Sequence, residues 1–173
     1  MNLWLRFIIV LLRALRRARL HPLDESVIEL RVWPGDLDIN GHMNNGRYLT
    51  VMDLGRTDLI ARNGLGRVAL SRKWRPLVGS AMIRFRRPLK PFQRYRLCSR
   101  IVCWDDKWFY LQQRFTCADT LIAVALVKGL LRGRDGNIPT ARVITVLGLT
   151  ESSPAMPPVI TLWQQSESLL QDG

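Results

Sequence analysis

A polar stretch that leads into one long helical segment, between residues 33 and 64, limits the fold more than any other part of this chain. The stretch Asp36–Asn45 holds two carboxylates, three amides and one of the two histidines of the protein. Apolar residues then recur at three- and four-residue spacings, which predicts a helix that begins near Asn44–Gly46 and ends at Asn63–Gly64. A polar loop at a helix start brings carboxylate, imidazole and unpaired backbone N–H groups together. Such a site suits a reaction in which negative charge develops on a substrate oxygen.

Strand patterns dominate the chain on both sides of this helix. One strand is predicted before it, and four long strands after it, at Ser26–Trp33, Val78–Arg86, Tyr95–Trp104, Trp108–Cys117 and Leu121–Arg132. One central helix followed by successive strands predicts an α+β fold, in which an antiparallel sheet carries the helix on one face. Gly55 costs the helix about 1 kcal/mol relative to Ala. We therefore expect the sheet to pack tightly against the helix backbone at that position.

The two ends of the chain differ from this central region. Residues 2–19 predict an amphipathic helix with a narrow polar stripe formed by Asn2, Arg6, Arg13, Arg16 and Arg17. Its uninterrupted apolar run is shorter than the roughly 20 residues that span a bilayer, and its charges follow that run, the reverse of a secretory signal. The helix is expected either to lie in a membrane interface with its arginines at the headgroups, a peripheral contact through residues 1–20, or to pack on protein.

The chain is divided accordingly into three parts. Residues 1–25 carry the N-terminal amphipathic helix, 26–150 form the main domain, and 151–173 form a tail whose helix is predicted at Val159–Leu170. A length of 173 residues is enough for one domain with a sizeable core.

Charge and cysteine content narrow the classes of function. The net charge is +12, and 22 of the 26 basic residues are Arg, an excess that suits nucleic acid, anionic lipid or a phosphate-bearing small molecule. No RNA-stacking aromatic motif or zinc-finger spacing accompanies the arginines, so nucleic-acid binding is not expected. Cys98, Cys103 and Cys117 lack metal-ligand spacing. They predict free thiols in a reducing, cytoplasmic compartment and no metal site.

Two motifs that the polar stretch superficially matches are rejected. The pattern Asp36-x-Asp38-x-Asn40-Gly41 resembles half of a calcium-binding loop, but position 12 of that loop is Arg47 where a Glu is needed. The pattern Gly64-x-Gly66-x-x-Ala69 matches a dinucleotide fingerprint, but it follows a helix instead of a strand.

The polar residues also have structural interpretations. Asp36 is expected to stabilise a turn or to bond with Arg31, and Asn44 and Asn45 are natural helix caps. Asp38, Asn40 and His42 are spaced by two residues. In an extended loop this spacing points all three side chains in the same direction.

The run Asp38-Ile39-Asn40-Gly41-His42-Met43-Asn44-Asn45-Gly46-Arg47-Tyr48 resembles the signature of hot-dog-fold acyl thioesterases. It is similar to 4-hydroxybenzoyl-CoA-type and acyl-CoA thioesterases of bacteria, and to plant acyl-carrier-protein thioesterases, which share an Asp-x-Asn-x-His run. Pro88 before one strand and Ile138-Pro139 after another also fit that family. The resemblance covers roughly residues 26–150, so both terminal helices lie outside the common core.

The resemblance implies a hot-dog fold, with a long central helix wrapped by a curved antiparallel sheet. It implies a homo-oligomer, dimer or tetramer, whose protomers pair sheets edge to edge and whose active sites lie at the subunit boundary beside the helix N-terminus. The implied activity is hydrolysis of the thioester of a fatty or aromatic acyl-CoA, with no cofactor beyond the coenzyme A of the substrate.

The same resemblance assigns roles to individual residues. The family's catalytic carboxylate falls on Asp38, as general base or nucleophile. Asn40 and His42 would orient the water or hold the carbonyl oxygen, and Asn45 belongs to the backbone N–H groups around Met43–Asn45 that would form an oxyanion hole. The second carboxylate of the plant relatives has no clear counterpart. Asp53 is the reserve candidate, although pairing with Arg56 or Arg47 is the favoured interpretation.

Substrate contacts are predicted on the helix and on the first strand after it. An apolar acyl slot would be lined by Tyr48, Met52, Met82 and Phe85. The phosphates of coenzyme A would meet Arg84, Arg86 and Arg87, unless these three form a solvated strand face.

Two other functions remain open at this point. A hot-dog enoyl-CoA hydratase carries an Asp-x-Asn-Pro-x-His motif, but here Gly41 replaces the Pro and the His comes one residue sooner. A non-catalytic, acyl-binding and membrane-associated protein is the other alternative, and the N-terminal helix supports it. Acyl chain length and the choice between coenzyme A and a carrier protein are left undetermined by the pattern.

Overall fold

The computed structural model describes residues 3–171, which form five α-helices, six strands and one short 3-10 helix. Asn2, predicted in the polar stripe of the first helix, lies outside these residues. The helices are α1 (Leu3–Arg16), α2 (Asn45–Arg62), α3 (Leu65–Ser71), α4 (Thr140–Leu147) and α5 (Pro158–Gln171). The strands are β1 (Ser26–Arg31), β2 (Arg75–Phe85), β3 (Arg94–Trp104), β4 (Phe109–Cys117), β5 (Thr120–Gly133) and β6 (Gly136–Ile138), and the 3-10 helix is Pro34–Asp36.

One antiparallel sheet holds all six strands, in the order β1-β3-β4-β5-β2, with the short β6 paired to the end of β5. The long helix α2 lies against one face of this sheet, where its buried residues join side chains of β3, β4 and β5 in a single core. This is the α+β, hot-dog arrangement that the resemblance implies, and the five predicted long strands are confirmed.

Helix α2 begins where the polar stretch ends, because Asn44 caps it. The Asn44 side chain accepts a hydrogen bond from the Gly46 N–H at 2.8 Å, which satisfies one of the amides that a helix start leaves without a partner. The helix ends at Arg62, with Asn63 as its C-cap. The predicted helix and the predicted capping role of Asn44 are both confirmed.

The sheet approaches the backbone of α2 most closely at Gly55. A Cβ atom added there would lie 2.5 Å from Ser99 Oγ, 2.8 Å from Leu97 Cδ2 and 2.9 Å from Gln113 Nε2. Contacts this short mean that any larger residue at this position would force the neighbouring side chains to move. The expectation that the sheet packs tightly on the helix at Gly55 is therefore confirmed.

The opposite face of the sheet is covered by α5. Ile160 is fully buried there in a second small cluster with Cys103, Tyr110 and Leu126. The tail helix is thus confirmed, but α3 and α4 were missed, since seven and eight residues give too little periodicity to distinguish a helix from a connecting segment.

Helix α1 packs along α2 through Arg6, Val10 and Ala14. One of its faces therefore rests on its own domain, as the second interpretation of this segment proposed. Arg6 does not belong to a solvent-facing stripe as predicted, because it is 2% exposed and ion-paired with Asp36. Within residues 3–171, no helix has both the length and the apolar character needed to cross a bilayer.

Candidate active site

The stretch between the 3-10 helix and α2 folds as a tight turn. Leu37 and Met43 form an isolated antiparallel bridge, and the Asp38 N–H donates to the His42 carbonyl at 2.8 Å. The Gly41 N–H returns to the Asp38 carbonyl at 3.1 Å, with Gly41 in the left-handed region at φ 71°. The expectation of an extended loop that points three alternate side chains one way is therefore wrong.

The turn holds one oxygen of the Asp38 carboxylate in place. Asp38 Oδ1 accepts the Asn40 N–H at 2.9 Å and the His42 N–H at 3.4 Å. Oδ2 makes no hydrogen bond to any residue between 3 and 171, and the side chain is half-buried. An oriented carboxylate with one uncommitted oxygen can accept a proton from a water molecule or attack a carbonyl carbon.

The other three predicted catalytic residues, Asn40, His42 and Asn45, differ in their relation to Asp38. The backbone amides of Asn40 and His42 bind its carboxylate, whereas their side chains make no hydrogen bond within the part of the chain that the structure describes. Asn40 is exposed and His42 is half-buried. Asn45 is the exposed first residue of α2. The side-chain roles predicted for Asn40 and His42 stay predictions.

The predicted oxyanion hole has fewer free donors than expected. The Met43 N–H donates to the Leu89 carbonyl at 2.9 Å, and the Asn44 N–H donates to the Asp36 carbonyl at 2.8 Å. These two amides are thus occupied, which corrects the prediction for them. The Asn45 N–H has no acceptor among the described residues, as is normal for the first turn of a helix. It remains the amide of this group that can bind a substrate oxygen.

A buried ion pair connects this loop to α1. Asp36 Oδ2 accepts Arg6 Nη2 at 2.6 Å and the Trp33 N–H at 2.9 Å, and Arg47 Nε lies 3.2 Å from Oδ1. Asp36 is structural, as expected, but its guanidinium partners are Arg6 and Arg47 in place of the predicted Arg31. The signal available in the sequence was an Arg within an otherwise apolar helical run, 30 positions before Asp36.

The reserve carboxylate Asp53 pairs with Arg56, which confirms the favoured interpretation. Its side chain is 64% exposed, and Arg56 also donates to Gln113 Oε1 at 2.6 Å. Gln113 donates in turn to the Met52 carbonyl at 3.0 Å and to Ser99 Oγ at 2.8 Å. This network attaches α2 to β3 and β4 beside Gly55.

Tyr48 and Met52 lie in the core instead of lining an open slot. Tyr48 is 2% exposed and packs edge-on against Phe85 and Phe115, with ring centroids 5.1 and 4.9 Å apart, and burial raises the pKa of its phenol. Met52 is 1% exposed. Met82 and Phe85, on β2, are 38% and 40% exposed.

The apolar space that the structure does contain lies on another side of α2. A cavity of about 470 Å³ opens between the start of α1, one side of α2 and the beginning of β2. Its walls include Leu3, Phe7, Thr57, Leu77, Ile101 and Leu111, but neither Tyr48 nor Met52 and not Asp38. Helix α2 contributes positions 50, 53, 54, 56, 57, 59 and 60 to this cavity, so Tyr48 and Met52 do not line it as predicted for the acyl slot.

The arginines predicted to bind phosphate lie at the end of β2 and just after it, and all are on the surface. Arg84, Arg86 and Arg87 are all exposed. The Arg86 and Arg87 N–H groups both donate to the Ile122 carbonyl, at 2.8 and 3.1 Å, which fixes the backbone beneath their side chains. Contact with coenzyme A stays a prediction.

Within residues 3–171, no cluster of three or more His, Cys, Asp or Glu side chains has an arrangement that could hold a metal. Cys98 and Cys103 are buried free thiols, and burial raises the pKa of the Cys103 thiol to about 11.

Comparison with known proteins shows that this chain is similar to thioesterases. A family model described as the thioesterase-like superfamily matches residues 32–164. Protein THEM6 of Xenopus laevis is 31% identical over 155 residues, covering 85% of this chain and 73% of its own. Protein THEM6 of Danio rerio is 40% identical over 119 residues, covering 67% and 59%. A probable thioesterase of Saccharomyces cerevisiae, YBR096W, is 31% identical over 120 residues, covering 67% and 52%.

Solved structures show the same fold at lower identity. The probable thioesterase YbaW of Escherichia coli superposes with a TM-score of 0.66 at 19% identity, covering 70% of this chain and 94% of its own. A mutant 4-hydroxybenzoyl-CoA thioesterase in complex with 4-hydroxybenzoyl-CoA gives a TM-score of 0.63 at 17% identity, covering 71% and 98%. Helix α1 precedes the region that the family model matches.

Proposed function

The chain belongs to the thioesterase-like superfamily and is a thioester hydrolase, and from this premise we propose that it cleaves acyl-CoA thioesters with Asp38 as the reacting carboxylate. The observation that carries the proposal is the geometry of Asp38. Two backbone amides hold Oδ1, while Oδ2 is left without a partner among the described residues, immediately before the N-terminus of α2. The three free cysteines support a reducing, cytoplasmic setting.

The proposed reaction follows from this arrangement. Asp38 takes a proton from water as the water oxygen bonds to the thioester carbonyl carbon; the C–S bond then breaks, and the proton passes to the departing thiolate. In the nucleophilic variant, an Asp38 oxygen bonds to the carbonyl carbon, and the C–S bond breaks to release the thiolate. Water then hydrolyses the mixed anhydride, which releases the carboxylic acid, returns the Asp38 carboxylate and supplies the proton for the thiolate. In this proposal the developing oxyanion binds to the Asn45 N–H at the positive end of α2, an amide that has no acceptor among the described residues. One such donor is typically worth about 2.7–4 kcal/mol of barrier.

A second copy of the chain would complete the sheet and the site. Strand β2 is an edge strand, paired among the described residues only with β5, and it exposes Leu77, Val78, Met82 and Phe85. Natural sheet edges usually carry charge or cover to prevent pairing. An edge strand of eleven residues with four exposed apolar side chains therefore supports a homodimer in which two β2 strands pair around a two-fold axis.

Such pairing would bring the cavity and the carboxylate together. The end of β2 lies beside the start of α2, because Phe85 contacts Tyr48, whereas Leu77 and Val78 at its beginning line the cavity. Antiparallel pairing near the middle of β2 places these two ends opposite each other. The Asp38 turn of one protomer would then lie next to the cavity of the other. We propose that this cavity takes the acyl chain, and that Arg84, Arg86 and Arg87 meet the coenzyme A phosphates.

The test is the rate of thioester hydrolysis by the variant Asp38→Asn. The rate is measured as thiol release from a series of acyl-CoA substrates. General-base and nucleophilic groups contribute about 10²–10⁴-fold, so we expect kcat to fall by that factor. Asp119→Asn, at an exposed turn, is the matched control and should retain the activity. Near-normal hydrolysis by Asp38→Asn would refute the catalytic role. Acyl-CoA binding by the wild type without any thiol release would instead support the non-catalytic alternative.

A further inference from the structure

Helix α1 is apolar on two opposite faces. Its inner face, with Val10 and Ala14, packs on α2. A helix turns by about 100° per residue, which places Ile8, Leu12 and Leu15 on the outer face. These three side chains are 51%, 48% and 68% exposed. Leu5, 50% exposed, extends this outer face toward the N-terminus.

Single apolar side chains on a surface are normal, but a continuous apolar stripe marks a contact surface. The stripe also lies outside the region matched by the thioesterase family model, which begins at residue 32. Catalysis by the proposed site therefore does not explain why this outer face is apolar.

Arginines flank the outer face on the side that faces β1. Arg13 and Arg16 are exposed and make no ion pair with any residue between 3 and 171. They line a groove of about 940 Å³ between α1 and β1, together with Arg17, Arg31 and Arg94. The two acids on its walls are already paired, Glu29 with Arg96 and Asp58 with Arg62 and Arg17. The groove thus carries uncompensated positive charge.

We propose that α1 docks this protein on an anionic phospholipid bilayer, with Ile8, Leu12 and Leu15 at the acyl boundary and the arginine flank on lipid phosphates. An apolar face bordered by arginine is the pattern of helices that lie in the plane of a membrane interface. Charge favours a bilayer over a second copy of the chain. A two-fold contact between α1 helices would place the same arginine flanks near each other, in a protein whose net charge is +12.

The docked orientation also affects how an acyl chain reaches the cavity. This consequence rests on the proposed function, in which the cavity takes the acyl chain. Leu3 and Phe7 of α1 line that cavity, and Trp4 both lines it and is 72% exposed. Docking through the outer face would therefore hold the α1 side of the cavity against the bilayer. An acyl chain in the membrane would have a short path to it.

Sedimentation of the full chain with vesicles tests the docking independently of activity. We expect binding to vesicles that contain phosphatidylglycerol, little binding to phosphatidylcholine alone, and weaker binding as salt is raised. The triple variant Ile8→Ser, Leu12→Ser and Leu15→Ser should bind the anionic vesicles about tenfold or more weakly. Arg13→Gln with Arg16→Gln should remove most of the preference for anionic lipid.

The matched control replaces three exposed leucines of α5, at positions 162, 169 and 170, by serine. It should bind the anionic vesicles as the wild type does. All six replaced side chains are exposed, so both triple variants should keep the fold, which far-UV circular dichroism and thermal unfolding would verify. The proposal is overturned if the wild type stays in the supernatant at low salt, or if the α1 triple variant binds normally. It is also overturned if that variant changes only the oligomeric mass, since the stripe would then be a contact between copies.

Discussion

Replacing Gly55 by Ala tests the packing of the sheet on α2. The local helix propensity and the tertiary packing predict opposite signs for the change in the free energy of unfolding. In an isolated helix the substitution would stabilise by about 1 kcal/mol. In this fold the new Cβ would lie 2.5–2.9 Å from Ser99, Leu97 and Gln113, so all three side chains must retreat by several tenths of an ångström. Overpacking of this kind typically costs about 1–3 kcal/mol.

A buried hydrogen bond adds to that cost. Gln113 donates to Ser99 Oγ at 2.8 Å, and both side chains are 0% exposed. Ser99 Oγ is also the atom nearest the new methyl group, so its retreat breaks a bond worth about 1 kcal/mol. Subtracting the helix-propensity gain leaves an expected net destabilisation of about 1–3 kcal/mol for Gly55→Ala.

Urea unfolding, monitored by tryptophan fluorescence at one fixed protein concentration, measures the change in the free energy of unfolding caused by Gly55→Ala. A double-mutant cycle with Ser99→Ala supplies the internal control. Removing Oγ relieves the shortest contact, so Gly55→Ala should cost about 1 kcal/mol less in the Ser99→Ala background. If Gly55→Ala instead raises the free energy of unfolding, the close approach of sheet and helix at this position is wrong.

Three further predictions address the ion pair, the sheet edge and the cavity. Arg6→Met leaves the buried Asp36 with Arg47 as its remaining cation, so the free energy of unfolding should fall by about 3 kcal/mol, the lower end of the range for a broken buried pair. Met82→Lys places like charges across the proposed two-fold axis, so light scattering should show loss of the dimer. Ile101→Trp fills part of the cavity, so kcat/KM should fall for long acyl chains and stay unchanged for short ones.

Each of these has a control at an exposed position of α3, either Arg67 or Leu70, and neither side chain lines the cavity. Arg67→Met should leave the free energy of unfolding within about 0.5 kcal/mol of the wild type. Leu70 is 84% exposed, so Leu70→Lys should leave the mass of the dimer in solution unchanged. For the same reason, Leu70→Trp should leave the dependence of kcat/KM on acyl chain length unchanged. A dimer that survives Met82→Lys would contradict the proposed pairing of β2. An unchanged profile for Ile101→Trp would show that the acyl chain binds elsewhere.

The elements that sequence alone predicted correctly are those specified by neighbouring residues. Helix α2 has a regular apolar period, an Asn cap at its start and an Asn-Gly stop, and each long strand lies between turn residues. Gly55 even predicted a tertiary contact. Glycine destabilises the interior of a helix, and the close approach of another element explains why it is present there. Asp38 was assigned through the resemblance of its motif to the thioesterase signature, and its catalytic role stays a prediction.

The details of the site depended on partners far along the chain. The Met43 amide is occupied by the carbonyl of Leu89, and Asp36 is neutralised by Arg6, 30 positions away. The Asp38 turn is an exception, because it is closed by a local bridge between Leu37 and Met43 that the residue spacing did not reveal.

The apolar cavity beside α2 is the clearest case of a feature decided by tertiary structure. It is formed by one side of α2, the start of α1 and the first residues of β2, which come together only when the sheet curls around the helix. Periodicity identifies which residues of α2 share a face, but not which face meets the core and which meets a cavity. That choice is made by the packing of distant elements, because burial depends on everything that surrounds a side chain and not on its neighbours in the chain alone.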